Sequence, residues 1–289
     1  MANRVRYFMR SLGHYFNPNR YLCPNCGGNN SSVVMKKYFV TQLHRCANCA
    51  LMYRTPTETG LQNVRYYNKF YKQGFTTEIP DDGKLAEYME NGFAGTGKDW
   101  GYYNRVLFNL GLRQQNKLLD YGCSWGYGSY QMQKSGFDVL AYDISCEKRE
   151  FIRNKFHLPV IEDLDKFLQE NRGEGQLDCF FMAHVLEHLP CPGNAFALAK
   201  KLLKPGGIIV SFTPNGCESA RRIFPEWPKW WGEVHPNLID DQFLNSVFSD
   251  CSSVIASKVD GRVQFADRPG MIYLDNLQGA ELMFAARVN

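Results

Sequence analysis

The sequence predicts an α/β chain: a mostly parallel nucleotide-binding sheet with an antiparallel last strand, preceded by a small four-cysteine ribbon. Three observations carry this. An apolar strand through Leu118 and Leu119 runs into Asp120, then into a turn rich in small residues (Gly122, Cys123, Ser124, Gly126, Gly128) and a helix. A second strand ends on Asp143, about 20 residues after the turn, where an acid can hold both hydroxyls of a ribose. Two Cys-x-x-Cys pairs, Cys23/Cys26 and Cys46/Cys49, are separated by 19 residues.

At 289 residues and 44% hydrophobic content, the chain is long enough for one α/β domain and a small accessory module. No run of 18 apolar residues appears, and arginines interrupt the first ten residues too often for a signal-peptide core. Six of the ten cysteines are scattered singly, the usage of a reducing compartment, so a cytoplasmic protein is expected. The net charge of +4 falls short of the strongly basic balance of a dedicated nucleic-acid binder.

Taken in order, residues 1–22 form a basic amphipathic segment. Arg4, Arg6, Arg10 and Arg20 stand without an acid, and Val5, Phe8, Met9, Leu12, Tyr15 and Phe16 recur at helical spacing. Such a helix either packs on the body with its arginines in solvent or makes peripheral contact with an anionic membrane. Residues 23–54 read as a zinc ribbon: Cys23, Cys26, Cys46 and Cys49 supply four thiolates, a closed structural site for Zn2+, with a redox dithiol as the alternative. Residues 55–115 form an aromatic connector and cap, including Tyr66, Tyr67, Phe70, Tyr71, Phe75, Phe93, Trp100, Tyr102 and Tyr103. These rings either wall a substrate pocket or join the ribbon to the next domain. A helix is expected from about Lys98.

Residues 116–289 form the sheet domain. After Asp143 and Ile144, a helix over 147–155 leads to a third strand near Pro159–Ile161 and to Asp163, which either accepts the adenine amine or caps the next helix. The fourth strand, 177–182, is followed by Ala183, His184, Glu187 and His188. His-x-x-Glu-His formally matches an inverted zinc-protease motif, but it lies at the C-terminal end of a strand, where α/β sheets bind ligands, and a protease leaves the glycine turn and Asp143 unexplained. A helix over 194–203 ends in Lys-Pro-Gly-Gly before a fifth strand, 208–213. The loop from Phe224 to His235 holds three of the five tryptophans. A helix over 240–248, a strand near 254–259 and a final strand, 281–288, complete the sheet.

The turn also discriminates between cofactors. A dinucleotide fold places glycines where this chain has Ser124 and Tyr127, which counts against NAD. Asp-x-Gly-x-Ser-x-Gly instead resembles the first motif of class I S-adenosylmethionine-dependent methyltransferases. With the cysteine pairs, Asp143, the His-Val-Leu-Glu-His stretch and the Leu-Lys-Pro-Gly-Gly turn in order, the whole chain resembles the zinc-ribbon-containing class I methyltransferases of the bacterial glycan- and sugar-modifying type.

The resemblance implies a Rossmann-like class I methyltransferase sheet and S-adenosyl-L-methionine held by Asp120, Gly122, Cys123, Ser124, Gly126, Asp143, Ile144, Asp163, Ala183 and His184. It departs at Ser124, which replaces a commoner glycine, and at Ala50, which follows the fourth cysteine where a left-handed residue costs about 1 kcal/mol. The chain ends at the last sheet strand, without the extra domain of the longer sugar C-methyltransferases, so a hydroxyl of a sugar, glycan or related small molecule is the expected acceptor. The expected catalytic bases are His235 and then His188, since both are predicted at the open end of the sheet and an unperturbed imidazole titrates near neutrality. Two other readings are an RNA methyltransferase that grips nucleic acid through the ribbon, and a non-catalytic S-adenosylmethionine-binding module.

Overall fold

The computed structural model describes residues 2–57, 78–170 and 175–288; Tyr66, Tyr67, Phe70, Tyr71 and Phe75 lie outside the described residues. Helix α1 (Ala2–His14) leads to strands β1 (Ser31–Lys37), β2 (Thr41–Cys46) and β3 (Met52–Thr55). Helices α2 (Asp82–Glu90) and α3 (Gly101–Asn109) precede β4 (Lys117–Tyr121), α4 (Tyr127–Lys134) and β5 (Asp138–Tyr142). Helix α5 (Cys146–Phe151) continues into a π turn over Ile152–Phe156; α6 (Leu164–Glu170) and β6 (Leu177–Ala183) follow. The chain then runs through α7 (Pro192–Leu202), β7 (Leu203–Pro214), α8 (Glu218–Ile223), β8 (Asn237–Leu238), α9 (Asp241–Val247), β9 (Ser252–Ala256), β10 (Gly270–Tyr273) and β11 (Glu281–Arg287).

The main sheet has the order β10-β9-β11-β7-β6-β4-β5. Strands β5, β4, β6 and β7 pair in parallel, and β11 inserts antiparallel between β7 and β9. This is the expected Rossmann-like sheet. Its topological switch lies at β4, which pairs with β5 on one side and β6 on the other, so the turn after Asp120 opens into the ligand-binding crevice of such sheets.

Two details differ from the sequence reading. The expected third strand reduces to a bridge from Val160 to Ala141, in which Ala141 N–H donates to the Pro159 carbonyl and Ile161 N–H to the Ala141 carbonyl, each at 2.9 Å. Strand β10, only four residues long and at the sheet edge, carries no periodic signal of its own.

The described aromatic residues before β4 pack on the main domain, and Tyr103 also reaches Glu281 with its hydroxyl. They fill the main domain's own core. Phe93 and Tyr88 pack beside Trp125, and Tyr103 sits edge-on to Phe212 with centroids 4.5 Å apart. A Cβ on Gly128 would lie 2.5 Å from the Trp100 ring, so this glycine admits the indole against helix α4.

The cysteine ribbon is built into the main domain. Its sheet has the order β1-β2-β3-β8, and β8 comes from the segment after the tryptophan loop. Met52 pairs with Leu238 and Tyr53 with Asn237, while Arg54 N–H donates to the Pro236 carbonyl at 2.7 Å. Arg45 reaches Asp240, the N-cap of α9, at 2.6 Å. Trp231 is 1% exposed and packs with Leu43, Met52 and Leu238. Of the loop's tryptophans, Trp231 is therefore core, and Trp227 and Trp230 are half-buried at its edge.

Candidate active site

The turn after β4 is shaped by left-handed backbone at Gly122 (φ 84°), Ser124 (φ 55°) and Gly126 (φ 84°). At Gly126 a side chain would also meet Ile152 at 2.6 Å. Ser124, unlike glycine, adopts this conformation at a cost of about 1–2 kcal/mol, offset where its N–H donates to Asp143 Oδ2 at 2.9 Å. Asp143 Oδ1 accepts from Ser145 N–H at 2.9 Å. Each oxygen keeps further lone-pair capacity for a hydroxyl. Burial pushes the Asp143 carboxyl up, while Lys148 and the two N–H groups pull it down.

The other turn residues divide by depth. Asp120 is sealed beneath the turn, where it accepts from Ser129 Oγ at 2.6 Å, and burial pushes its pKa up to about 7. Cys123 is buried, and Ile144 is exposed beyond β5. Asp163 is exposed and accepts from Lys166 N–H at 2.9 Å, which makes it the cap of α6. The Ser124 hydroxyl oxygen is buried and has no hydrogen-bond partner among the described residues, a polar atom left for a bound group.

Ala183 ends β6, and His184 turns the chain with φ 54°. His184 lies between two carboxylates, with Nδ1 3.3 Å from Glu187 Oε1 and Nε2 2.8 Å from Glu281 Oε1. Burial alone would lower its pKa, but these two partners raise it above the ordinary histidine range. Glu187 is buried and accepts from Thr213 Oγ1 at 3.0 Å; burial opposes its charge, but the neighbouring histidines hold its pKa down to about 2. Glu281 also accepts from Tyr103 OH at 2.8 Å. The sequence reading named Tyr103 only as one of the aromatic rings of the connector and missed Thr213 and Glu281, which the pairing of β11 with β7 brings beside His184.

His188 and His235 meet, with ring centroids 4.5 Å apart at an interplanar angle of 73°. His188 Nδ1 is 2.9 Å from the Val234 carbonyl and His235 Nδ1 is 2.9 Å from the Trp230 carbonyl. A carbonyl only accepts, so both Nδ1 atoms carry a proton, and the neutral form of each ring then has its lone pair on Nε2. Burial pushes the His188 pKa down to about 4, against the opposing pull of Glu187.

In the ribbon, Cys23 and Cys49 sulfurs lie 3.6 Å apart and Cys26 and Cys46 sulfurs 3.5 Å apart. These distances exclude disulfides and approach the edge of about 3.8 Å for a tetrahedron with zinc–sulfur bonds of 2.3 Å. The four sulfurs lie within 4.8 Å of one another, and such a closed soft-donor set fits structural zinc. A cavity of about 430 Å³ lies between the ribbon and the main domain, lined by Cys23, Tyr53, Arg54, Cys191 and Pro236 among others. Its lining includes neither the glycine turn nor the two histidines.

A family model described as a methyltransferase domain matches residues 100–251, more than half of the chain. The chain belongs to this methyltransferase domain family. This methyltransferase is 32% identical over 112 residues to the ubiquinone biosynthesis O-methyltransferase of Pasteurella multocida (strain Pm70), a match covering 34% of this chain and 46% of that protein. It is 29% identical over 146 residues to an uncharacterized 37.1 kDa protein in transposon TN4556 of Streptomyces fradiae, covering 49% of this chain and 41% of that one. The chain thus spans less than half the length of these two curated relatives. Among solved structures, a TehB-like SAM-dependent methyltransferase from Corynebacterium glutamicum aligns with a TM-score of 0.45 and 18% identity, covering 72% of this chain and 96% of that one. Family membership implies S-adenosylmethionine as the methyl donor. The unpartnered Ser124 hydroxyl and the remaining acceptor capacity of Asp143 suit that donor's polar groups.

Proposed function

We propose that the chain transfers the methyl group of S-adenosylmethionine to a hydroxyl of a sugar, glycan or related small molecule, with the His188/His235 pair receiving the hydroxyl proton. The pairing of the two imidazoles carries this reading. They come from separate loops, after β6 and after β7, and both loops leave strand ends on the crevice side of the sheet. When bound, S-adenosylmethionine supplies a methyl carbon already activated by its sulfonium. The chain must then orient the acceptor, exclude water and remove a proton.

Asp143 is proposed to hold the ribose hydroxyls, and Gly122, Cys123, Ser124 and Gly126 to border the amino acid tail. Ala183 and His184 stand at the end of β6, where the methionine part would lie. The two Nδ1–H groups, each tied to a carbonyl, keep both Nε2 atoms in the proton-accepting tautomer. A His188 pKa near 4 keeps that imidazole neutral at pH 7. Oxygen as the acceptor atom is also supported by those curated relatives that are named ubiquinone biosynthesis O-methyltransferases.

The test is methyl transfer to a panel of sugar nucleotides and phenols, read as S-adenosylhomocysteine release. His235→Asn and His188→Asn are expected to lower turnover by about 10²–10⁴-fold, the range for a positioned base, with donor binding unchanged by calorimetry. Full activity in both variants would remove the histidines from the chemistry.

A further inference from the structure

The described part of helix α1 turns apolar side chains outward. Its apolar residues recur at helical spacing, yet among the side chains described Ser11 and His14 are buried, while Phe8, Met9 and Leu12 face solvent. Just beyond the helix, Phe16 is 90% exposed. Polar bonds hold the helix in this orientation: Tyr7 OH donates to Thr41 Oγ1 and Tyr15 OH to the Val40 carbonyl, each at 3.1 Å. Both acceptors belong to the turn and strand start of the β1–β2 hairpin. The tip of that hairpin is Tyr38-Phe39, both with left-handed backbone, and Phe39 is completely exposed. The Tyr7 and Tyr38 rings meet edge-on at 5.9 Å, so the helix lies against the hairpin tip.

The charge of this region sets it apart. Residues 1–57 contain eight lysines and arginines and no aspartate or glutamate, a net +8, whereas the whole chain is only +4. The remaining residues therefore carry a net −4, and all of the excess positive charge resides in the N-terminal module. An apolar ridge in a positively charged module matches an anionic lipid surface, where apolar side chains enter the acyl boundary and basic ones meet headgroups. No helix among the described residues is long and apolar enough to cross a membrane, so the contact would be peripheral.

We propose that the outer face of α1 together with the Tyr38-Phe39 hairpin tip is a docking surface for an anionic membrane. Phe16 and Phe39 would act as the two apolar anchors, with the module's basic residues supplying the attraction, apart from Arg45, which is paired with Asp240, Lys37, which is tied to the tryptophan loop, and the buried Arg54. This inference is independent of which acceptor is methylated.

The full chain is to be sedimented with phosphatidylcholine vesicles with and without phosphatidylglycerol. Binding is expected to require phosphatidylglycerol, to weaken with added salt, and to fall by about tenfold in Phe16→Ser and in Phe39→Ser, a loss of about 1.4 kcal/mol. Both positions are exposed, so both variants should keep the wild-type melting temperature, which separates lost docking from lost folding. Absence of binding to the anionic vesicles, or binding unchanged in both variants, overturns the proposal. So does a concentration-dependent dimer in analytical ultracentrifugation that the two variants abolish, since a second copy would then cover the face.

Discussion

Lys37 and Trp231, 194 residues apart, are joined twice: the lysine Nζ donates to the Trp231 carbonyl at 2.6 Å and stands 4.6 Å from the centroid of its indole. The same ammonium donates to the Pro228 carbonyl at 2.7 Å. These two carbonyls flank that of Trp230, which accepts from His235 Nδ1. A side chain of the cysteine ribbon thus ties down the backbone that orients one of the paired histidines.

Lys37→Met, which keeps the stem and removes the donors, should therefore cost about 1.5–3 kcal/mol of stability and lower acceptor turnover without weakening S-adenosylmethionine, with partial recovery in Lys37→Arg. Burial and the nearby Arg54 depress the Lys37 pKa to about 8. Between that value and its ordinary pKa of 10.5, the unfolded chain binds the extra proton, so stability from this site should rise with pH across that window. Thermal melts of wild type and Lys37→Met across the window check this; identical slopes would show that the lysine does not titrate there.

The purified protein should carry one zinc per chain at Cys23, Cys26, Cys46 and Cys49, measured by elemental analysis of protein made in zinc-replete, reducing conditions. Because β3 pairs with β8, loosening the ribbon by Cys49→Ser should disturb the segment that follows His235, and not only the ribbon itself. Loss of acceptor turnover with intact donor binding is the expected pattern.

Asp143→Ala should weaken S-adenosylmethionine by about 2–3 kcal/mol, the range for hydrogen bonds to a charged group. It also removes the partners of Ser124 and Ser145 N–H, so Asp143→Asn is the companion variant. Calorimetry at wild-type affinity in both would show that the ribose lies elsewhere.

Trp231→Ala should lower stability by about 3–5 kcal/mol, because the indole is enclosed by Leu43, Met52 and Leu238. Trp230→Ala, at a half-buried ring, should cost far less and is the variant in which an effect on acceptor KM can be read cleanly. A Trp231→Ala protein that melts like wild type would return this ring to the acceptor site.

Much of the site was legible where its residues are close in sequence. The turn from Gly122 to Gly126, the acid at Asp143 and the four cysteines each announce themselves by spacing, because one backbone turn or one metal tetrahedron sets the separation of its residues. Ala50, at φ 61°, shows the left-handed backbone that its position after the fourth cysteine implied. The acids were harder to read. Asp163 could cap a helix or meet an adenine, and only the position of Lys166 N–H shows the cap.

What the sequence by itself determined was local: periodicities of two and 3.6, turn chemistry and ligand spacing, and from these the strand-turn-helix unit and the ribbon. Tertiary structure decided which distant groups meet. His188 faces His235, His184 lies between Glu187 and Glu281, and Lys37 reaches the tryptophan loop, in each case through contacts between separate elements. It also decided which face of α1 is buried, against the apolar pattern, because Tyr7 and Tyr15 find hydrogen-bond partners on the hairpin. The physical reason is that local patterns follow from backbone geometry over one or two turns, whereas contacts between elements depend on the register and packing of the whole sheet.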